Sequence, residues 1–122
     1  MEIIRRGDVI SFSNSGVTSE QLLFPENSES QRVTITRVTV APGAKSPRHA
    51  HANAEQVWIV LRGHGSLLLA DDATTAIGEG DVVRFAEGDV HGFANTSSAD
   101  FVYLSVTSPP LNFRSAYSSK WK

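Results

Sequence analysis

Short runs rich in β-branched residues, separated by turns that contain glycine, proline or acidic residues, recur along most of this 122-residue chain. In the clearest run, Arg32 to Val40, polar and apolar residues alternate, so a strand formed there would have one apolar face. Gln56 to Leu61, Val82 to Phe85 and Phe101 to Val106 are further strand candidates. Many short strands with turns between them, and no convincing internal helix, predict an all-β barrel or sandwich.

Three of the four histidines have a spacing that suits a common site on two antiparallel strands. Side chains alternate along a strand, so His49 and His51 would share one face. Glu55 and Gln56 follow a short turn and can return on the neighbouring strand of a hairpin, but alternation lets only one of them face the histidines. The spacing is compatible with either Glu55 or Gln56. Together with His91, these residues have the outline of a metal site.

These residues resemble the two motifs of the cupin superfamily. The first motif, G-x5-H-x-H-x3/4-E-x6-G, is matched by Gly43, His49, His51, Gln56 and Gly63 with the required intervals. Gln56 stands where the family has glutamate. The count back from Gly63 favours Gln56 as the motif residue, with Glu55 as the alternative.

The second cupin motif, G-x5-P-x-G-x2-H-x3-N, is matched by Gly80, Gly88, His91 and Asn95, with Ala86 in place of the proline. Two motifs in register form a specific signal. The resemblance implies a double-stranded β-helix, the RmlC-like jelly-roll barrel, with a short C-terminal tail. It also implies a metal site made by His49, His51, Gln56 and His91, with Glu55 as the alternative to Gln56.

The implied cofactor is one divalent transition metal ion. Imidazole ligands suit iron, manganese, nickel, zinc and copper, so the ligand set does not choose among them. Trp58 shares the strand parity of Gln56, and Phe93 shares that of His91, so both are predicted to form apolar walls of the pocket. Tyr103 is a candidate general acid, whereas His64, between two glycines, is interpreted as a surface residue.

Function follows from the implied site. A neutral ligand set leaves the charge of the ion available to a small anionic oxygenated substrate, which fits isomerase, lyase or dioxygenase chemistry. The alternative is a non-catalytic cupin that binds or senses a sugar or small acid, and the sequence leaves open whether the protein is an enzyme. No serine elbow or cysteine–histidine pair supports a hydrolase.

The chain is expected to form one domain, residues 1–122, with a barrel core at about 32–107. The N-terminal arm, residues 1–31, is predicted to hold a short strand up to Ile10 and then a polar loop whose apolar Leu22, Leu23 and Phe24 dock on the core or on a second subunit. A hairpin is predicted at Gly63–Gly65. In the tail, residues 108–122, Phe113, Tyr117 and Trp121 recur every four residues and would form one aromatic stripe if the tail is helical.

Composition and charge limit the binding partners and the cellular compartment that we expect. The formal net charge of -2 gives no electrostatic case for nucleic acid. The absence of cysteine excludes disulfides, and no apolar stretch reaches the ~20 residues of a membrane span. Charged residues near the N-terminus stand where a signal peptide would be apolar. We therefore expect a cytoplasmic protein with a small-molecule ligand, no nucleic-acid or membrane partner, and a homodimeric assembly.

Overall fold

The computed structural model describes residues 1–121, and these residues form ten strands in two antiparallel sheets. The six-stranded sheet has the order β1-β2-β3-β10-β5-β8, and the four-stranded sheet has the order β4-β9-β6-β7. The strands are β1 (Ile10–Asn14), β2 (Val17–Leu23), β3 (Thr34–Val40), β4 (Lys45–His49), β5 (Glu55–Arg62), β6 (His64–Leu68), β7 (Thr74–Gly78), β8 (Val82–Phe85), β9 (His91–Ala94) and β10 (Phe101–Ser108). The predicted all-β architecture is confirmed.

The last strand, β10, lies in the middle of the larger sheet between β3 and β5. It pairs with β3 from Phe101 to Thr107 and with β5 from Val102 to Ser108. Its Phe101, Tyr103 and Ser105 are buried on one face, and Val102 is buried on the other. The strand therefore connects the two halves of the chain and carries side chains into the interior.

The hydrophobic core lies where the inner faces of the two sheets meet. Phe93 from β9 stacks on Phe101 from β10 with ring centroids 3.8 Å apart. Trp58 from β5 stacks on Tyr103 from β10 at 4.0 Å. Burial of several large aromatic rings contributes strongly to stability, at about 1.5–3 kcal/mol for a fully buried large apolar side chain.

Two predicted hairpins are wrong, because the chain changes sheets at both places. The turn at Gly63 separates β5 in the larger sheet from β6 in the smaller one, and these strands pair with other partners. The connection after His51 likewise leads from β4 in the smaller sheet to β5 in the larger sheet. Local spacing shows where a strand ends but not which sheet the next strand joins. Here β5 belongs to the larger sheet, whereas β4 and β6 belong to the smaller one.

The N-terminal arm differs from the polar loop that we expected. Residues 6–8 form a short 3-10 turn, and the polar segment that follows forms β1 and β2, which extend the larger sheet from β3. Polar residues lie on both faces of β2, with Ser19 and Gln21 buried and Thr18 and Glu20 partly exposed. Phe24 is buried and packs edge-on against Phe12, with the ring centroids 6.1 Å apart. The apolar residue that we expected to dock therefore packs within its own chain.

The C-terminal tail packs on the barrel of its own chain. Its helical part is one 3-10 turn, Phe113–Tyr117, in place of a longer helix, and Asn112 caps it by accepting from the Arg114 N–H. Arg114 makes a two-pronged ion pair with Glu26, at 2.8 and 2.6 Å. The Asn14 side chain also bonds the tail backbone, donating to the Tyr117 carbonyl and accepting from the Trp121 N–H.

Among residues 1–121, no helix is long and apolar enough to cross a membrane.

Glycines allow the tight geometry around the histidines. The motif glycines Gly43, Gly63, Gly80 and Gly88 all have positive φ, a conformation that other residues rarely adopt. Gly92, next to His91, has a different role. A Cβ atom there would lie 2.8 Å from the Ser46 carbonyl oxygen and 2.9 Å from the Arg48 nitrogen, so β4 approaches β9 closely only because Gly92 has no side chain.

Replacing Gly92 by alanine is expected to destabilise the fold. The added methyl group meets backbone atoms, which cannot rotate away, and overpacking of this kind costs about 1–3 kcal/mol. The free energy of unfolding, measured in urea, should fall by that amount. Gly7→Ala is the matched control, because a Cβ atom at Gly7 meets no atom of the described residues within 4 Å. Equal stability of the two variants would contradict this interpretation of the close approach.

Candidate metal centre

The three motif histidines lie together at the end of the smaller sheet. His49, the last residue of β4, is the cross-strand partner of His91, the first residue of β9. The register of this pair shifts between Ser46 and His49, and the irregularity turns the end of β4 toward β9. His51 follows just beyond β4. Strand pairing brings His49 and His91 together although 42 positions separate them in the sequence.

The side chains converge closely enough to bind one ion. One ring nitrogen from each histidine lies within 4.8 Å of the others. The ring centroids are 4.4 Å apart for His49 and His91, 5.0 Å for His49 and His51, and 5.4 Å for His51 and His91. The Nε2 atoms of His51 and His91 are buried and have no hydrogen-bond partner within the described part of the chain. Buried polar atoms are normally paired, so these nitrogens fit a metal ligand role.

Two of the rings are held in the tautomer that metal binding needs. Nδ1 of His49 lies 2.9 Å from the Pro47 carbonyl oxygen, and Nδ1 of His91 lies 3.1 Å from the Asp89 carbonyl oxygen. A carbonyl only accepts, so each Nδ1 carries the proton and donates it. Nε2 is then left as a lone-pair donor, the arrangement that backbone carbonyls give to metal-binding histidines. The residues present therefore fit a transition metal ion.

The surroundings of His51 and His91 favour the neutral form of each ring. Burial, with a smaller contribution from His49, lowers the pKa of His91 to about 4. Burial also lowers the pKa of His51, again with help from His49. A neutral imidazole can donate a lone pair to a metal without first losing a proton. At neutral pH both histidines are ready to bind.

The structure places Gln56 and Glu55 on opposite faces of β5. Gln56 is buried and lines the same cavity as His49 and His51. Its amide is fixed, because Oε1 accepts from Trp58 Nε1 at 3.0 Å and Nε2 donates to Thr107 Oγ1 at 2.9 Å. Glu55 points outward and pairs with Arg84 at 2.6 Å. Of the two residues only Gln56 faces the histidines, and its oxygen keeps a second lone pair for a ligand.

A cavity of about 290 Å³ extends from the histidines into the barrel. Trp58 lines it, as the strand parity predicts. Phe93 does not, because it is fully buried against Phe101 and Gly65 deeper in the core. The parity of Phe93 gives its face of the strand correctly, but its depth depends on how the second sheet packs over it.

Two other groups of cavity residues are absent from the sequence-based set. Val17 and Ser19 come from β2, and Phe113, Tyr117 and Trp121 come from the tail. The four-residue aromatic spacing is the signal for the tail residues, although it does not show that they reach the pocket. His64 is exposed and lies outside the cluster, as its position between glycines suggests.

Tyr103 lines the cavity, and its buried position raises its pKa well above 10. Burial also raises the pKa of Tyr117, partly offset by a hydrogen bond with Ser19. Both hydroxyl groups therefore keep their protons at neutral pH. Such groups are poor acids in the ground state, but they can donate a hydrogen bond to an oxygen that gains negative charge.

Known proteins share this sequence pattern and this fold. A family model described as "Cupin domain" matches residues 36–107. Auxin-binding protein 1 of Arabidopsis thaliana is 31% identical over 88 residues, which cover 66% of this chain but only 44% of that protein. This chain therefore spans less than half the length of that relative.

Solved structures agree with the fold. A protein with a double-stranded β-helix domain from Klebsiella pneumoniae superposes with a TM-score of 0.74 at 22% identity, over 90% of this chain and 91% of that chain. The polyketide cyclase RemF from Streptomyces resistomycificus superposes with a TM-score of 0.73 at 27% identity, over 89% of this chain and 79% of that chain. The predicted double-stranded β-helix is confirmed.

The lowered pKa of His91 predicts a loss of stability in mild acid for the metal-free protein. His91 has a pKa of about 4 in the fold against an ordinary histidine pKa of 6.5, so the unfolded chain binds more protons between these pH values. The free energy of unfolding should therefore fall as the pH is lowered from about 6.5 to about 4. Urea unfolding at several pH values and NMR titration of the His91 ring measure this. A His91 pKa at or above 6.5 would contradict it.

Proposed function

The chain belongs to the cupin family, and we propose that it is a metal-dependent small-molecule cupin that acts on a small oxygenated anion. His49, His51 and His91, with Gln56 as fourth ligand, would hold one divalent transition metal ion. Isomerase, lyase and dioxygenase reactions all suit such a site. The observation that carries the proposal is a pair of buried Nε2 atoms, on His51 and His91, that have no hydrogen-bond partner within residues 1–121. They belong to a cluster in which one ring nitrogen from each histidine lies within 4.8 Å of the others.

The ion, when bound, supplies a Lewis acid that polarises a carbonyl or carboxylate oxygen of the substrate. Around it the chain contributes orientation and proton control. Trp58 and Thr107 hold the Gln56 amide in one orientation. Tyr103 keeps its proton and offers it as a hydrogen bond inside the cavity. The tail residues cover part of the cavity and exclude water, which strengthens every electrostatic interaction within it.

A non-catalytic binding protein is the second candidate, and one observation favours it. Among residues 1–121, no aspartate, glutamate, lysine or arginine lines the cavity, so the described chain offers no free carboxylate to act as a general base there. The name of the relative Auxin-binding protein 1 also describes binding. By contrast, the neighbour RemF, at 27% identity, is described as a polyketide cyclase, which supports the enzymatic proposal.

Metal analysis tests the proposed site directly. Protein purified without a tag should contain about one equivalent of a transition metal, measured by elemental analysis. His49→Ala should lower metal affinity by more than the ~10- to 100-fold that loss of an outer-shell partner costs, since a ligand itself is removed. Gln56→Ala should have a smaller effect, because an amide oxygen is a weaker donor than imidazole.

His64→Ala is the matched control for that measurement, since His64 is exposed and outside the cluster. It should keep the parent metal content. The proposal fails if the parent protein takes up none of iron, manganese, nickel, zinc or copper when each is supplied. It fails equally if His49→Ala and His64→Ala bind metal alike.

Turnover separates the two candidate functions. The metal-loaded protein is incubated with 2-oxo acids and 2-hydroxy acids in deuterium oxide, and NMR follows exchange at the α-carbon while an electrode follows oxygen uptake. Metal-dependent exchange or oxygen uptake supports an enzyme. Ligand binding without either reaction supports the non-catalytic candidate.

We also propose a homodimer, formed by a different surface from the one that the sequence suggested. Phe24 and the aromatic tail pack within their own chain and are not available for a partner. The outer face of β5 and β8 instead exposes Ile59, Leu61 and Val82, and Val82 is 65% exposed. Ile59 and Val82 are cross-strand partners, so they form one continuous apolar patch.

Val82→Glu is expected to shift the protein toward monomer, because a charge would lie at the centre of this patch. Sedimentation at micromolar concentration measures the shift. Thr74→Glu, at an exposed position on β7 in the other sheet, is the control and should leave the assembly unchanged. A parent protein that sediments as a monomer at micromolar concentration would overturn the proposed dimer.

A further inference from the structure

Aromatic rings line the cavity from two directions. Trp58 and Tyr103, stacked on each other, come from the central strands of the larger sheet. Phe113, Tyr117 and Trp121 come from the tail, and the last two pack together with centroids 5.0 Å apart. The Phe113 ring lies 5.8 Å from that of His51, so the aromatic wall of the tail begins beside the metal centre.

Charge is confined to the metal end of this cavity. Within residues 1–121, none of the lining side chains is acidic or basic apart from His49 and His51. A ligand with several carboxylates would leave all but the metal-bound one without a partner, and burying an unpaired charge is costly. Thr36 and Ser105, which are cross-strand partners, place two hydroxyl groups on the wall beside Trp58. The walls thus suit a flat apolar body with a few hydroxyl or carbonyl groups.

The size of the cavity limits that body. A cavity of about 150 Å³ lined by apolar side chains holds one benzene ring. The cavity here, about 290 Å³, is roughly twice that volume. It therefore has room for about two fused rings with a small oxygen-bearing group.

The wall formed by the tail is anchored on both sides. Glu26 holds Arg114 through two hydrogen bonds, and the Glu26 pKa is lowered to about 2, chiefly by that contact. The buried Asn14 side chain bonds the backbone at Tyr117 and Trp121. Asn14 ends β1 and Glu26 lies in the turn after β2, and both are outside the metal cluster. The tail rings are therefore a fixed part of the pocket.

From the rings, the confined charge and the volume, we infer that the ligand is a planar aromatic compound of about two rings with a metal-binding oxygen group at one edge. The inference rests on the proposed function, because the oxygen group needs the metal. Phe113, Tyr117 and Trp121 determine specificity by contacting the ring body. Small acids without a ring, and sugar acids with a polar body, would use the metal but not the walls.

Isothermal titration calorimetry of zinc-loaded protein tests this with three probes. They are 1-hydroxy-2-naphthoate, which has two rings and an oxygen pair; glycolate, which has the oxygen pair alone; and galacturonate, which has a polar ring body. Burial of the rings should make hydroxynaphthoate bind at least about 10-fold more tightly than either of the others. The neutral ketone 1-hydroxy-2-acetonaphthone, with the same rings, shows whether the oxygen group must be anionic.

Phe113→Ala should weaken hydroxynaphthoate binding by about 10-fold, because one ring contact is lost. It should leave glycolate binding and zinc content within about 2-fold of the parent values, since the variant keeps every metal ligand. Phe113→Leu, which keeps apolar volume, should fall between the two proteins. Ser115→Ala is the matched control, in the same turn but outside the cavity lining.

Each outcome decides one of the two proposals. Zinc-loaded protein that binds glycolate or galacturonate as tightly as hydroxynaphthoate overturns the inferred ligand class and leaves the metal site standing. Equal loss of glycolate and hydroxynaphthoate binding in Phe113→Ala also overturns it, because the ring would then act only through the fold. Protein that takes up no zinc or other transition metal overturns the proposed function and the metal-bound oxygen group with it.

Discussion

The pairing of β10 between β3 and β5 is the constraint on which the rest of the structure depends. This strand comes from the end of the barrel sequence and completes a sheet that the first strands begin, so nearly all its contacts are distant along the chain. Its inward residues run from Phe101 in the core, through Tyr103 and Ser105 at the cavity, to Thr107 beside Gln56. β10 therefore contributes to the core, to the cavity lining and to the hydrogen bonding of Gln56 in the candidate site.

The metal centre combines two sheets with different roles. The smaller sheet supplies His49 and His91, whose convergence depends on the close approach of β4 to β9 at Gly92, and His51 follows just beyond β4. The larger sheet supplies Gln56, already bonded to Trp58 and Thr107. Burial favours the neutral forms of His51 and His91, and their Nε2 atoms have no hydrogen-bond partner among the described residues. Burying a polar atom without a hydrogen-bond partner lowers the stability of a fold, so such atoms indicate a binding role.

Beyond the metal centre, the cavity is defined by aromatic rings and uncharged polar groups. The tail gives it a wall that strands alone do not provide, and Asn14 and Glu26 fix that wall to the start of the chain. Residues from the N-terminal part of the chain and from the tail thus both line the cavity. The charged pairs Glu20–Arg37 and Glu55–Arg84 lie on the outside, where solvent weakens them and they do not compete with the site.

Much of the fold and part of the site could be predicted from the sequence, because both follow from local rules. Alternation predicted β3, and runs of apolar and β-branched residues predicted β5, β8 and β10. The two motifs carried the cupin resemblance and the three histidines. The polar segment before residue 31 was predicted as a loop, since a half-exposed strand of serine and threonine has a weak pattern. Its two strands form because β3 offers them a free edge.

The sequence by itself determined most strands of the barrel core, the turns between them and the chemical type of the site residues, since these depend on neighbours along the chain. Only the tertiary structure decided that Gln56 faces the histidines while Glu55 pairs with Arg84, that Phe93 lies in the core, and that the tail lines the cavity. Parity assigns a residue to one of two faces. What that face meets is set by the packing of one sheet on the other, which involves residues far apart in the sequence.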